Sequence, residues 1–316
     1  MARILSKTSV KAVVPYMHPN GINFKTKAYE AWVRIGGDIA KGHYPYRIFH
    51  HIAFNYEIPT INKKAIGARL RFVQPVSIKF DTFPDYAFYE IIPLVWDCWP
   101  IYYDEMCKWL KKHKVKTAIF TSSQMAEKIR GQFPNINVLT ITEGVDIIQY
   151  NKGKNLLERN VDLLIFGRPN ANPFTSNINN LKCVYTIENG KRRFTSSEFR
   201  DMLGNARVSI ALPRSITDPE IAQGIETLTQ RYWENMLSRI VMVGHAPKEL
   251  TDLIGYNPVI ELDREHPNEQ IMDILTHIED YQPLVDKNRE TALRLGDWTL
   301  RMQQVMDWLR ECGYEV

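Results

Sequence analysis

The chain has 316 residues, beyond the roughly 250–300 at which a single hydrophobic core stops growing, so two domains of ordinary size are expected. With 44% hydrophobic and 24% charged residues it has the composition of a globular protein and not of a disordered or fibrous one. A net charge of +4 is too mild to make nucleic acid the principal ligand, but it suits an anionic substrate.

Short apolar runs alternate with amphipathic ones, which predicts a doubly wound α/β architecture. Val10 to Val14 reads as the first strand. The loop after it carries His18, Asn20, Gly21 and Asn23, and helical periodicity follows from Lys25 to Lys41 across Gly36-Gly37. Arg47 to Ala53 reads as a strand, while the aromatic-rich segment from Asn55 to Tyr89 gives no clear pattern. The order then sharpens: strand Ile91 to Trp96 with Asp97 at its end, helix Tyr102 to His113, strand Val115 to Phe120, helix Ser122 to Gly131 and strand Asn137 to Ile141.

Glu143-Gly-Val-Asp146 and the polar stretch after it mark a domain boundary, giving residues 1–145 and 146–316. The second half opens with strand Val161 to Phe166, followed by Gly167-Arg168, and continues with strands Val208–Leu212, Ile240–Val243 and Pro258–Leu262. Helices are expected over Lys248–Ile254, Asn268–Ile278, Leu284–Leu295 and Trp298–Cys312.

The four cysteines, Cys98, Cys107, Cys183 and Cys312, form no CxxC pair and read as reduced thiols of a cytosolic protein. The N-terminus lacks the apolar core of a signal peptide, and no apolar run approaches the ~20 residues of a bilayer crossing. Cytoplasmic work is expected. The run Lys108 to Lys116 is the densest basic patch; its composition permits peripheral contact with an anionic membrane surface, although a solvated helix face has the same composition.

Glu226 and Glu234, between strand Val208–Leu212 and strand Ile240–Val243, are the most informative pair. If the segment is helical throughout, their Cα atoms lie roughly 12 Å apart, and the helix start between them offers N–H groups to an anion. The order strand, polar loop, Glu-x7-Glu, Glu-Asn-Met and buried strand resembles the C-terminal domain of retaining GT-B glycosyltransferases of the family 4 type. Thr227-Leu-Thr229 stands where that family has Gly-Phe-Gly, and no Lys follows Gly167-Arg168 at the family's distance.

The resemblance implies two Rossmann-like doubly wound domains facing a central cleft, with the last helix able to cross back onto the first domain. It also implies transfer of a hexose, with retention and without an essential metal, from a UDP- or GDP-linked sugar to a glycan or lipid-linked acceptor. No cofactor beyond that co-substrate is expected. Glu226 is then placed on the sugar hydroxyls with the backbone of Thr227, Leu228 and Thr229. Glu234 takes the ribose and Arg168 the diphosphate, with Arg231 or Arg214 as geometric substitutes. Gly21 allows close approach of the diphosphate. His18, Asn20 and Asn23 line the acceptor side, and Asp97 orients the acceptor hydroxyl. A nucleotide-sugar epimerase of the same fold and a non-catalytic relative that binds sugar nucleotides are the rivals.

Overall fold

The computed structural model describes residues 9–15, 24–40, 52, 56, 70–76, 78, 81–167, 181–188, 191–192 and 194–316. The chain divides into two units, Met1–Glu143 with Trp298–Val316, and Gly144–Asp297.

In the first unit, strands β1 (Val10–Ala12), β2 (Leu70–Val73), β3 (Glu90–Val95), β4 (Thr117–Phe120) and β5 (Asn137–Thr140) form one parallel sheet in that order. Ala12 also bridges Ile39 in parallel, on the side of β1 away from β2. The chain therefore leaves β1 in one direction through helix α1 (Phe24–Arg34) and resumes in the other with β2. Such a reversal defines a doubly wound sheet with its switch point between β1 and β2. Strands β2 and β4 are buried at every position, as expected of parallel strands covered on both faces.

Helix α1 stops before its predicted end. Gly36 is left-handed, with φ +89°, and a Cβ on Gly37 would strike the Trp32 indole. The Trp32 Nε1–H instead donates to the Asp38 carbonyl at 2.9 Å, and the chain turns there. Trp32 packs on Phe72 with ring centroids 5.1 Å apart, and Trp96 packs on Trp298 at the same separation. Trp298 opens the last helix of the chain (Trp298–Glu311), which belongs to this unit and supplies Met302, Val305 and Leu309 to its core.

Strand β2 lies in the segment where periodicity gave no strand, and the charged residue within it explains why. Arg71 is buried beside the carboxylate of Asp85, with Nε 3.8 Å from Oδ1, and stacks over the Tyr89 ring at 4.0 Å. Asp85 opens the short helix α2 (Asp85–Phe88). Burial raises its carboxyl to about 6, against the lowering pull of Arg71. A raised folded-state pKa means the native state holds the proton more tightly. The Asp85 contribution is therefore fully present below the unfolded value near 3.8 and is lost as pH rises through about 6. A shift of that size corresponds to about 3 kcal/mol at most. Between pH 4 and 7 the stability difference between wild type and Asp85→Asn is expected to move in favour of the variant. Urea titrations at several pH values would show it, and a pH-independent difference would refute the assignment.

The rest of the first unit alternates as predicted. Helices α3 (Tyr103–Lys112) and α4 (Ser123–Gln132) connect β3, β4 and β5, and Ser122 caps α4 by accepting from the Met125 N–H.

In the second unit the strands are β6 (Val161–Ile165), β7 (Cys183–Tyr185), a small antiparallel hairpin β8 (Ile187–Glu188) and β9 (Lys191–Arg192), β10 (Ala206–Ala211), β11 (Val241–Gly244) and β12 (Val259–Glu261). The main sheet is parallel, in the order β12-β11-β10-β6-β7. In chain order β6 and β7 extend the sheet to one side of β6 and β10, β11 and β12 extend it to the other, so its switch point lies between β6 and β10. Its helices are α5 (Ser196–Asn205), α6 (Arg214–Thr217), α7 (Pro219–Ala222), α8 (Gln230–Leu237), α9 (Lys248–Ile254), α10 (Pro267–Thr276) and α11 (Gln282–Leu295). Helix α8 buries Tyr232, Trp233, Met236 and Leu237 in a core completed by Met242, Val259 and Ala292. Among the described residues no helix is long and apolar enough to cross a membrane.

Candidate active site

Doubly wound sheets place ligands outside the carboxyl ends of their strands, at the switch point. In the second unit that point is bounded by Phe166-Gly167 after β6 and by Leu212-Pro213 after β10. The guanidinium of Arg231 occupies it. It lies over the Phe166 ring at 5.2 Å, and one of its N–H groups donates to the Leu212 carbonyl at 3.3 Å. Gly167 has φ +103°, a conformation that favours glycine, and a Cβ there would displace the Arg231 guanidinium from its place. Arg231 is the second residue of α8, so its charge and the first N–H groups of that helix stand together. Thr229 precedes the helix without capping it through its side chain. A cation beside a helix start at a switch point is suited to a phosphate group.

The two glutamates sit differently from the helical expectation. Helix α8 begins at Gln230, so Glu226 lies in the loop before it and only Glu234 is on the helix. The ~12 Å helical spacing therefore does not describe this segment. The chain reaches Glu226 through left-handed Gln223 and Gly224, with φ 45° and 79°. The Leu228 N–H then donates to Glu249 Oε2 at 2.8 Å and not to a helical carbonyl. That bond uses the Leu228 amide, one of the three expected on the sugar.

Glu226 belongs to a chain of polar groups at the carboxyl ends of β10, β11 and β12. Ser215 Oγ donates to its Oε1 at 3.1 Å, and His245 Nε2 lies 3.4 Å from the same oxygen. The other ring nitrogen of His245 is 2.9 Å from Glu261 Oε1. The His245 carbonyl in turn accepts from the buried Tyr232 hydroxyl at 2.7 Å, and burial pushes that phenol's pKa up. The imidazole thus spans two carboxylates, one following the α7 loop and one ending β12.

Glu234, one turn beyond Arg231 on the same half-exposed face of α8, accepts from the Tyr150 hydroxyl at 2.8 Å. Arg214, the other substitute cation, lies 3.4 Å from Asp218 one helical turn on. The structure therefore brings Arg231, Glu234 and Glu226 to one sheet edge. Ser215, His245, Glu261, Glu249 and Tyr150 join them. Sequence reasoning missed these five, which carry no local motif.

Asp97 is in the first unit, exposed and left-handed with φ +50°, two residues beyond the end of β3. Aspartate tolerates that conformation better than most residues. Its strand is not at the switch point of its sheet, which lies between β1 and β2. Arg168, Gly21, His18, Asn20 and Asn23 fall outside the described residues.

No protein-family model and no curated protein sequence matches the chain. Solved structures do. A glycosyltransferase involved in avilamycin A biosynthesis, AviGT4, aligns over 96% of this chain and 98% of its own, with TM-score 0.56 and 13% identity. Sucrose-phosphate synthase from Thermosynechococcus elongatus aligns over 97% and 100%, with TM-score 0.63 and 11% identity. T4 phage BGT, solved with its UDP-glucose substrate, aligns over 94% and 98%, with TM-score 0.55 and 11% identity. Identities this low carry the architecture and not the chemistry. With two parallel doubly wound sheets and near-complete coverage of these neighbours, the chain has the GT-B fold, built from two Rossmann-like units.

Proposed function

We propose that the protein is a glycosyltransferase that moves a hexose from a UDP- or GDP-linked donor to a saccharide or lipid-linked acceptor, with retention and without an essential metal. The observation that carries the reading is the Arg231 guanidinium at the switch point of the second sheet, with Glu226 and Glu234 on the same edge. Arg231 and the start of α8 take the diphosphate, Glu234 the ribose hydroxyls and Glu226 the sugar hydroxyls. The glycosyltransferase AviGT4, and T4 phage BGT with its UDP-glucose substrate, support the same class.

In the reaction the bond from the anomeric carbon to the phosphate oxygen breaks and a bond to the acceptor oxygen forms. The acceptor proton passes to the departing phosphate. Charge grows on that phosphate as it leaves, and a fixed guanidinium lowers its energy more than it lowers that of the intact donor. The remainder of the catalysis is positioning. Exposed Lys108, Lys111 and Lys112 on α3, with exposed Ile101 and Tyr102 before them, provide the peripheral contact with an anionic membrane that a lipid-linked acceptor calls for.

A sugar-nucleotide binder without transfer is the second reading, favoured by the Leu228 amide being committed to Glu249. A panel of UDP- and GDP-sugars, assayed for binding, slow donor hydrolysis, epimerised donor and transfer, separates the readings. Glu234→Ala is expected to weaken donor binding by roughly tenfold or more, because it removes charge-assisted hydrogen bonds. Glu226→Ala is expected to lower turnover while nucleotide affinity stays near wild type. Full activity in both variants would end the assignment.

A further inference from the structure

We infer that Tyr150 is a positioning residue for ribose recognition, its phenol holding the Glu234 carboxylate in the orientation that reads the ribose diol of the donor. The inference rests on the proposed role of Glu234 and adds a residue that no local pattern marks.

Tyr150 is 84 positions from Glu234 in the chain, yet its hydroxyl donates to Glu234 Oε1 at 2.8 Å. Its ring is anchored independently of that contact. It packs against two apolar clusters, the one formed by Val161, Leu164, Phe166, Leu203, Ala206 and Ile240 and the core of α8. The turn carrying it is closed by the Ile147 carbonyl, which accepts from the Tyr150 N–H at 3.3 Å, and by Gln149, whose amide donates to Asp146 at 2.7 Å. Burial first, and the Glu234 charge second, push the Tyr150 phenol well up, so at neutral pH it stays protonated and serves as a donor.

A glutamate side chain has three rotatable bonds, and ordering it on binding costs rotamer entropy. A rigid phenol that pins one carboxylate oxygen removes much of that cost in advance. A carboxylate has about four acceptor positions, so accepting from Tyr150 is compatible with accepting from ribose hydroxyls as well. Glu234 stands one helical turn from Arg231, so pinning it also sets the distance between the ribose-reading and diphosphate-binding groups.

The test is calorimetric binding of UDP, GDP and their 2′,3′-dideoxy counterparts to wild type, Tyr150→Phe and Glu234→Gln. The phenylalanine variant removes one oxygen and retains the packed ring. For the nucleotide that binds wild type, Tyr150→Phe is expected to lose about five- to tenfold in affinity for the ribose form. Its affinity for the dideoxy form should match wild type, so that the ribose preference collapses. A loss equal on both forms, or no loss on either, would overturn the inference. Failure of the underlying reading looks different: wild type would show no ribose preference, or Glu234→Gln would keep it. If Glu234→Gln abolishes the preference while Tyr150→Phe preserves it, the reading stands and the inference falls.

Discussion

Arg231→Ala is expected to lower kcat/KM for the best donor by about a hundred- to a thousandfold, the cost of removing one preorganised group that stabilises developing charge. Most of the loss should appear in kcat, with a smaller weakening of nucleoside diphosphate binding, because the charge on the leaving phosphate is greatest in the transition state. Arg231→Lys should recover only part of the rate, since an ammonium keeps the charge and loses the planar fork. The guanidinium is half-buried and donates to the Leu212 carbonyl; a thermal melt checks that the alanine variant still folds. Wild-type kcat/KM in a folded Arg231→Ala protein would remove the central cation from the proposed mechanism.

The second large effect concerns stability. Arg159 is 1% exposed and donates to the carbonyls of Lys154 at 3.0 Å, Ala206 at 2.7 Å, Ser238 at 2.8 Å and Leu203 at 3.5 Å. Ala206 opens β10, Leu203 lies in the last turn of α5, Ser238 directly follows α8, and Lys154 lies in the loop that precedes β6. One guanidinium thus ties the loop before β6 to the α5–β10 junction and to the end of α8, where two helix dipoles present negative ends. Burial, and then the charge of neighbouring Arg239, lower its pKa to about 10, so it remains a cation at neutral pH.

Arg159→Met keeps comparable length but leaves several buried carbonyls without a donor, each costing about 1–3 kcal/mol. The expected loss is about 3–5 kcal/mol, in the range reserved for broken buried networks. For a unit of this size the melting temperature should fall by about 10 °C or more. A variant melting within about 2 °C of wild type would show that the carbonyls find other partners.

Much of the second unit was legible because its strands are buried on both faces and read as unbroken apolar runs. Ile240 to Val243 is an example, Val161 to Phe166 is interrupted only by half-buried Asp162, and helix α9 runs over the residues its periodicity marks. Strand β2 was not legible. It is four residues long and contains a charge, and that charge is tolerated only because Asp85 and Tyr89 reach it from later in the chain. The Glu-x7-Glu spacing marked both carboxylates, yet it also suggested a continuous helix. Glu249 withdraws the Leu228 amide from such a helix, and the helix starts four residues after Glu226.

Composition, periodicity and motif order therefore determined the class of fold and the two carboxylates, since burial on a sheet or helix leaves a local pattern of apolar residues. The partners of those carboxylates were decided only by folding. Tyr150 meets Glu234, and His245 joins Glu226 to Glu261, through contacts between elements far apart in the chain. A hydrogen bond depends on the position of two atoms in space, and no spacing along one segment encodes it.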